Sequence, residues 1–247
     1  MRRYGLIGYP LQHSFSEGYF TSKFRKEKVD AVYNSFPLKS ISELPALLDQ
    51  HPDLAGLNVT HPYKTAVMAY LDDLDEQADD VGAVNVINIS SREGKRMLKG
   101  YNTDVDGFVL SLKGLLGTAT ISNALVLGTG GASRAVQKGL DRLDIEYKLV
   151  SRQEGKADLS YLDLSGELIR NSRLIINATP LGMFPDTGSA PDIPYEALEP
   201  GCILFDLVYN PEISLFLRKG QERGCPVKNG MEMLHIQAEK AWEIWKA

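Results

Sequence analysis

The sequence predicts an α/β protein with two lobes, of which the second is doubly wound. The strongest evidence is Gly128-Thr129-Gly130-Gly131-Ala132, which follows the apolar run 124–127 and opens a helical pattern. A second apolar run, 145–150, completes a strand–helix–strand unit. Glycines at such a turn let the backbone approach a pyrophosphate, and the helix N-terminus supplies N–H donors to that anion. We therefore expect a Rossmann-type dinucleotide-binding lobe, the alternative being a glycine-rich turn of an ordinary α/β protein.

The end of the second strand indicates which dinucleotide is bound. An NAD site usually has Asp or Glu there, to accept hydrogen bonds from the ribose 2′-hydroxyl. This chain has Ser151 and Arg152, with Lys156 shortly after. A hydroxyl and a guanidinium can bind a 2′-phosphate, which a carboxylate would repel. Their position after a dinucleotide-type turn favours NADP as the cofactor. The alternative is that these residues form a solvated basic turn that binds no ligand.

Size and composition narrow the class of protein. At 247 residues, 43% hydrophobic and 24% charged, the chain suits one large or two modest globular domains. Its net charge of −5 argues against nucleic acid and anionic membranes as partners. We expect no membrane span or signal peptide, and the two cysteines suit a cytoplasmic location. The four histidines lack metal-ligand spacing, so we expect no metal site.

Apolar periodicity predicts the elements in order along both lobes. In the first lobe we expect strands at 4–8, 29–36, 54–59, 83–89 and 95–101, and helices at 17–28, 45–50 and from His61-Pro62 onward. In the second we expect a helix from Asp104, strands at 124–127, 145–150, 174–176, 203–205 and 224–227, and a final helix at 231–245. The predicted domains are 1–103 plus 231–247 for substrate and 104–230 for the dinucleotide, with a cleft between them.

Polar side chains follow several first-lobe strands, where ligands bind in open α/β sheets. Ser14 and Ser16 suit a carboxylate at a helix entrance, although capping of the helix by either serine is the better explanation of this cluster taken alone. Asn58 and Thr60 project from one face of an extended segment. Lys64, expected in the first turn of the next helix, calls for a compensating partner or a function, because helix N-termini disfavour cations. The alternative is a surface lysine, the commonest explanation of any single lysine.

Two further polar positions extend this pattern. Asn85 interrupts an apolar strand, and a buried amide needs hydrogen-bond partners. Asp104 follows the next strand, where it is either a helix cap or a functional carboxylate. Together these residues predict a site for a hydroxylated acid, with a lysine and an aspartate for proton transfer.

These residues, in this order, resemble the shikimate dehydrogenase family along essentially the whole chain. The matching first-lobe stretches are 7–10, 13–16, 58–64, 82–85 and 100–107. The second-lobe stretches are 128–132, 177–183, 206–211 and 229–237. The chain departs from the family's usual residues at His61 and Glu232, and it is short between 153 and 173.

The resemblance implies NADP-dependent, reversible reduction of 3-dehydroshikimate to shikimate by a monomer or homodimer. It implies Lys64 and Asp104 as catalytic residues, and Ser14, Ser16 and Tyr209 as ligands of the substrate carboxylate. The residues implied to contact ring hydroxyls are Asn58, Thr60, Asn85 and Gln237. Those implied to contact the cofactor are Gly128, Thr129, Gly130, Gly131, Ala132, Ser151, Arg152, Lys156, Thr179, Leu207 and Gly230.

Two alternatives remain open at this point. One keeps the enzyme class but gives it quinate, or both ring acids, with use of NAD; Ser151 and Arg152 disfavour the NAD version. The other is a non-catalytic NADP-binding protein that regulates a partner, and the presence of both Lys64 and Asp104 disfavours it.

Overall fold

The computed structural model describes residues 1–11, 15–153 and 155–247, which group into two compact units. The first unit is Met1–Thr103 with Ala238–Ala247, and the second is Asp104–Gln237. Each unit has its own six-stranded sheet. Because Ser14 falls in the gap at 12–14, that predicted residue lies outside the described part of the chain.

The first unit is built on a mixed sheet with the strand order β2-β1-β3-β5-β6-β4. Its strands are β1 (Arg2–Gly8), β2 (Ala31–Pro37), β3 (Leu54–Val59), β4 (Asp73–Leu74), β5 (Val86–Arg92) and β6 (Lys95–Tyr101). Its helices are α1 (Phe15–Glu27), α2 (Leu44–Gln50) and α3 (Glu76–Val81), with 3-10 turns at Ile41–Glu43 and Ala66–Tyr70. β1 pairs in parallel with β2 and β3, whereas β5 runs antiparallel to β3 and β6.

The helix predicted from His61-Pro62 onward is wrong. The chain makes turns there and forms only the short 3-10 helix Ala66–Tyr70. A long-range bond explains this, because the Lys64 carbonyl accepts from the Val84 N–H at 2.7 Å instead of from a helical N–H. Lys64 therefore lies in a turn and not in the first turn of an α-helix, so the unfavourable position of a cation at a helix N-terminus does not apply to it.

The second unit contains an all-parallel sheet with the strand order β12-β11-β10-β7-β8-β9. Its strands are β7 (Asn123–Leu127), β8 (Glu146–Ser151), β9 (Leu159–Ser160), β10 (Leu174–Asn177), β11 (Ile203–Asp206) and β12 (Val227–Lys228). The order changes direction at β7, as in a doubly wound dinucleotide-binding sheet. The predicted α/β class with a Rossmann-type second lobe is confirmed.

Helices cover the second sheet, whose central strands are almost wholly buried. They are α4 (Asp104–Leu116), α5 (Gly131–Asp141), α6 (Gly166–Asn171), α7 (Leu215–Glu222) and α8 (Met231–Lys246), with 3-10 turns at Tyr161–Asp163 and Tyr195–Ala197. Periodicity predicted α4, α5 and α8 but not α6, α7 or β9, which are too short for a clear period.

The helix α8 is divided between the two units. Met233 belongs to a core cluster of the second unit, and a side chain at Gly107 of α4 would collide with the Met233 backbone. Ala241, Trp242 and Trp245 belong to an aromatic core of the first unit. Residues 231–237, assigned to the first domain from sequence, group with the second, and Met233 packs against α4 there.

Candidate functional site

Three of the predicted side chains lie at the end of β3. Leu57 and Val59 belong to the core on one face of the sheet, which places Asn58 on the opposite face. Asn58 is buried, while Thr60 and Lys64 are half-buried. The Thr60 N–H donates to the Ile7 carbonyl at 3.0 Å, so the sheet pairing continues just past the strand.

The Asn58 amide is held by two neighbours. Its Oδ1 accepts from the Tyr33 hydroxyl at 2.7 Å, and its Nδ2 donates to the Asn85 carbonyl at 3.4 Å. The Tyr33 hydroxyl also hydrogen bonds with Ser16, the second residue of α1. Burial raises the pKa of Tyr33 well above its usual range. One buried phenol thus connects two predicted substrate ligands.

A second set of hydrogen bonds fixes Asn85, which lies just before β5 and is 1% exposed. Its Oδ1 accepts from the Thr103 N–H at 2.8 Å, and its Nδ2 donates to the Thr103 hydroxyl at 3.0 Å. Next to it, Asn102 Nδ2 donates to the Ala83 carbonyl at 2.8 Å. These bonds tie the segment after β6 to the segment before β5, so the position of Thr103 is set by side chains.

In the second unit, the glycine turn after β7 has a backbone that a larger residue would strain. Gly128 has φ of +110°, and a Cβ there would lie 3.0 Å from Thr179 Cγ2. The Ser133 hydroxyl donates to the Gly128 carbonyl at 2.7 Å and is fully buried. The Ser133 side chain thus stabilises the glycine turn by this hydrogen bond, and its small size permits close packing of the helix on the strand.

The helix α5 starts directly after this turn, with Gly130 as its N-cap. A Cβ at Gly130 would meet nothing within 4 Å, so the space above the first turn is open. Thr129, Gly131 and Ala132 are half-buried around it. The first-turn N–H groups and the partial positive charge of the helix suit an anion at this position.

The predicted phosphate ligands follow β8. Ser151 is its last residue and is buried, and its Oγ accepts from the Gln153 N–H at 3.0 Å. Arg152 and Lys156 are exposed. The segment after β8 therefore carries two exposed positive charges, which is the pattern expected for binding a 2′-phosphate.

A buried polar network connects the ends of β10 and β11. Asp206 Oδ1 accepts from Asn177 Nδ2 and from the Val208 N–H, both at 2.9 Å, and Oδ2 accepts from the Ser214 hydroxyl. Asn177 Oδ1 accepts from the Thr179 hydroxyl at 2.6 Å and from its N–H at 3.1 Å. Burial raises the pKa of Asp206 to about 6, against the opposing effect of these donors.

This network shapes the backbone at three predicted cofactor residues. The Thr179 hydroxyl and the Thr179 N–H both donate to Asn177 Oδ1, and these two bonds hold Thr179 in place. The Leu207 N–H donates to the Asn177 carbonyl at 3.0 Å. Gly230 packs so closely on Leu207 that a Cβ would collide with the Leu207 carbonyl. The three residues therefore owe their positions to Asn177 and Asp206 behind them.

The remaining predicted residues of the second unit lie on separate elements. Asp104 is the first residue of α4 and is 3% exposed. Tyr209 lies in the loop after β11, where burial raises its pKa. Gln237 is half-buried in α8 and lies close to Gly107 of α4.

Tyr33, Asn177 and Asp206 were not predicted from sequence. For Asn177 and Asp206 a signal existed, since each is a polar residue directly after an apolar run, the same signal that identified Asn85. Tyr33 carries no such signal, because a tyrosine in a half-buried strand is ordinary.

The comparisons with known proteins bear on this arrangement. The family model "Shikimate dehydrogenase substrate binding domain" matches residues 6–87. A shikimate dehydrogenase (NADP(+)) of Methanococcus aeolicus is 34% identical over 98% of this chain and 90% of that protein. The chain belongs to the shikimate dehydrogenase family.

Solved structures of this family have the same fold. A Thermus thermophilus shikimate 5-dehydrogenase in complex with NADP(H) and shikimate matches with a TM-score of 0.87 and 31% identity, covering 99% of this chain and 93% of that one. A Corynebacterium glutamicum quinate dehydrogenase in complex with NAD also matches, with a TM-score of 0.85 and 26% identity, covering 99% and 93%. The fold alone therefore does not separate the two ring acids.

The departures from the family's usual residues have structural explanations. His61 is exposed, so its polarity costs little there. Glu232 is paired with Lys228 and accepts from the Ser111 hydroxyl at 3.1 Å, which ties α8 to α4.

Within residues 1–11, 15–153 and 155–247, no helix has the length and apolar character needed to span a bilayer. In the same part of the chain, no group of three or more His, Cys, Asp or Glu side chains could hold a metal ion.

Proposed function

We propose that this member of the shikimate dehydrogenase family catalyses the reversible, NADP-dependent reduction of 3-dehydroshikimate to shikimate. The observation that carries the proposal is that one chain combines the amide, hydroxyl and lysine cluster around β3 with a phosphate-type glycine turn followed by Ser151 and Arg152. We assign 1–103 with 231–247 to the substrate and 104–230 to the dinucleotide. The split of α8 between the units does not change that functional division.

The second unit suits NADP. The strained glycine turn and the open first turn of α5 form a cradle that a larger residue would fill. We assign the pyrophosphate to Gly128, Thr129, Gly130, Gly131 and Ala132, and the adenosine phosphate to Ser151, Arg152 and Lys156. Thr179, Leu207 and Gly230 would bind the nicotinamide end through their backbones. The bound cofactor supplies the hydride.

We assign the substrate to polar side chains that suit a hydroxylated ring acid. Ser14 and Tyr209 donate hydrogen bonds to the carboxylate, and Ser16 does so once its hydroxyl turns from Tyr33 to the ligand. The negative charge makes the carboxylate the strongest acceptor of the substrate. Asn58, Thr60, Asn85 and Gln237 contact the ring hydroxyls. Buried amides that lose a ligand hydroxyl are left unpaired, so they discriminate against acids without one.

Lys64 and Asp104 complete the reaction. The Lys64 ammonium donates a proton to the carbonyl oxygen of 3-dehydroshikimate as that oxygen becomes a hydroxyl, and it accepts the proton in reverse. Asp104 orients the ammonium. We further propose a cytoplasmic monomer or homodimer, which the two buried free thiols suit.

One assay tests the proposal and its competitors. Absorbance of the reduced nicotinamide is followed with shikimate or quinate, each offered with NADP⁺ or NAD⁺. We expect the highest kcat/KM for shikimate with NADP⁺, because Ser151 and Arg152 suit the 2′-phosphate. A higher kcat/KM for quinate or with NAD⁺ would favour a quinate or quinate/shikimate dehydrogenase. Cofactor binding without any turnover would favour a regulatory protein.

A further inference from the structure

A buried hydroxyl beneath the proposed substrate residues has no assigned role. Tyr33 lies in β2 and its ring stacks on Phe20 with centroids 4.7 Å apart. β1 separates β2 from β3 in the sheet, so the Tyr33 side chain reaches across β1 to donate to Asn58 Oδ1. Tyr33 is 4% exposed and Asn58 is 9% exposed, so water competes little for this bond.

The direction of the Asn58 amide follows from its other neighbour. The Asn85 carbonyl oxygen can only accept, so the amide atom facing it must be Nδ2. Oδ1 then faces Tyr33, whose hydroxyl must donate. Burial raises the pKa of Tyr33 well above its usual range, which keeps this donor protonated at ordinary pH.

We propose that Tyr33 is a positioning residue, which fixes the Asn58 amide so that Asn58 meets the substrate as a donor to a ring hydroxyl oxygen. The inference rests on the proposed function, which places Asn58 against the ring hydroxyls. Nδ2 carries two hydrogens, and only one of them can point at the Asn85 carbonyl. Without the Tyr33 hydroxyl, Oδ1 is left buried without its donor and the amide loses its fixed direction.

The test is Tyr33→Phe, which keeps the ring on Phe20 and removes only the hydroxyl. We expect the KM for shikimate to rise about five- to tenfold, as for loss of one buried hydrogen-bond partner. We expect kcat and the KM for NADP⁺ to stay within about twofold of the wild-type values. Neither constant depends on how tightly Asn58 binds the ring hydroxyl of shikimate in the ground state. The matched control is Tyr63→Phe, because the buried Tyr63 hydroxyl donates to the Leu38 carbonyl in the other core of the same unit. It should leave all three constants unchanged.

A double-mutant cycle shows whether Tyr33 acts through Asn58. In an Asn58→Ala background, Tyr33→Phe should change the KM for shikimate by less than about twofold, a remainder that its hydrogen bond with Ser16 accounts for. An equal rise in both backgrounds overturns the inference, as does a Tyr33→Phe protein with wild-type KM or with a loss confined to kcat. Wild-type enzyme without shikimate turnover would instead overturn the proposed function.

A second variant decides the matter if Tyr33→Phe does not fold. Asn58→Asp keeps an acceptor for the Tyr33 hydroxyl but has no amide hydrogens to donate. We expect its KM for shikimate to rise at least about tenfold, as for loss of a buried donor. An unchanged KM would mean that the substrate needs no donor from this position, and the inference would fail.

Discussion

The polar residues at the strand ends work differently in the two units. In the first unit, Asn58 and Asn85 present side chains whose directions are set by Tyr33 and Thr103. In the second unit, the residues proposed for the pyrophosphate and the nicotinamide would offer their backbone, and the polar side chains of Asn177 and Asp206 hydrogen bond within the protein. A small ring acid needs directional side chains, whereas a pyrophosphate is satisfied by N–H groups and a helix terminus. In the proposed function, a buried polar residue is thus a ligand in the first unit and a structural support in the second.

The largest expected effect on activity comes from replacing Lys64, the proposed proton donor. Lys64→Ala should lower kcat by about 10²- to 10⁴-fold, the usual range for loss of a general acid–base group. The KM for NADP⁺ should change little. Steady-state kinetics by reduced-nicotinamide absorbance measure both, with the exposed Lys95→Ala as control. A Lys64→Ala enzyme with near wild-type kcat would remove Lys64 from the catalytic role.

Asp206→Asn tests the hidden support of the second unit. The new amide would place an NH2 group among three donors, so we expect the free energy of unfolding at pH 7 to fall by about 3 kcal/mol. Denaturant unfolding measures this. The control Asp163→Asn changes an exposed capping carboxylate and should matter far less. If the free energy of unfolding falls by the same small amount in both variants, the Asp206 network does not stabilise the backbone.

The same carboxyl gives a pH dependence of defined sign. Its pKa is raised by burial to about 6 in the folded protein, above the value of about 4 in the unfolded chain. The stabilisation from this group is therefore complete below about pH 4 and is lost as the pH rises through about 6. The stability difference between wild type and Asp206→Asn should shrink by up to about 3 kcal/mol over that window and stay constant above it. A difference that grows with pH would contradict the raised pKa.

Arg152→Ala tests the cationic end of β8. We expect the KM for NADP⁺ to rise about 10- to 30-fold through loss of charge-assisted hydrogen bonds, with the NAD⁺ constants unchanged. The exposed Arg170→Ala is the matched control. Equal losses for both cofactors would place Arg152 away from the 2′-phosphate.

Two glycines of one turn should respond differently to alanine. Gly128→Ala should lower the free energy of unfolding by about 1–2 kcal/mol, because its φ of +110° is unfavourable for alanine. Gly130→Ala meets open space and should leave stability unchanged while weakening NADP⁺ binding. Thermal unfolding and cofactor titration separate the two. Equal stability losses would mean that the turn tolerates neither change for the same steric reason.

Local patterns predicted much of this molecule. One contiguous stretch of sequence predicts β7, the glycine turn and α5. The apolar run that ends just before Ser151 predicts β8 in the same way. The 3-10 turn after Lys64 was missed because a carbonyl bond to Val84, twenty positions away, stops the helix. Tyr33 was missed because its partner Asn58 lies two strands away. What sequence periodicity cannot supply is the pairing of residues that only the sheet brings together.

The helix α8 has a consequence for how the chain is made. Trp242 and Trp245 close the aromatic core around Tyr4, Phe20 and Phe24, yet more than a hundred residues of the second unit precede them in the chain. On a ribosome adding about 5–20 residues per second, the first unit waits on the order of ten seconds or more for its last two large side chains. During that interval the rings of Phe20 and Phe24 lack their final cover, so nascent chains at this stage are the ones for which chaperone protection matters most.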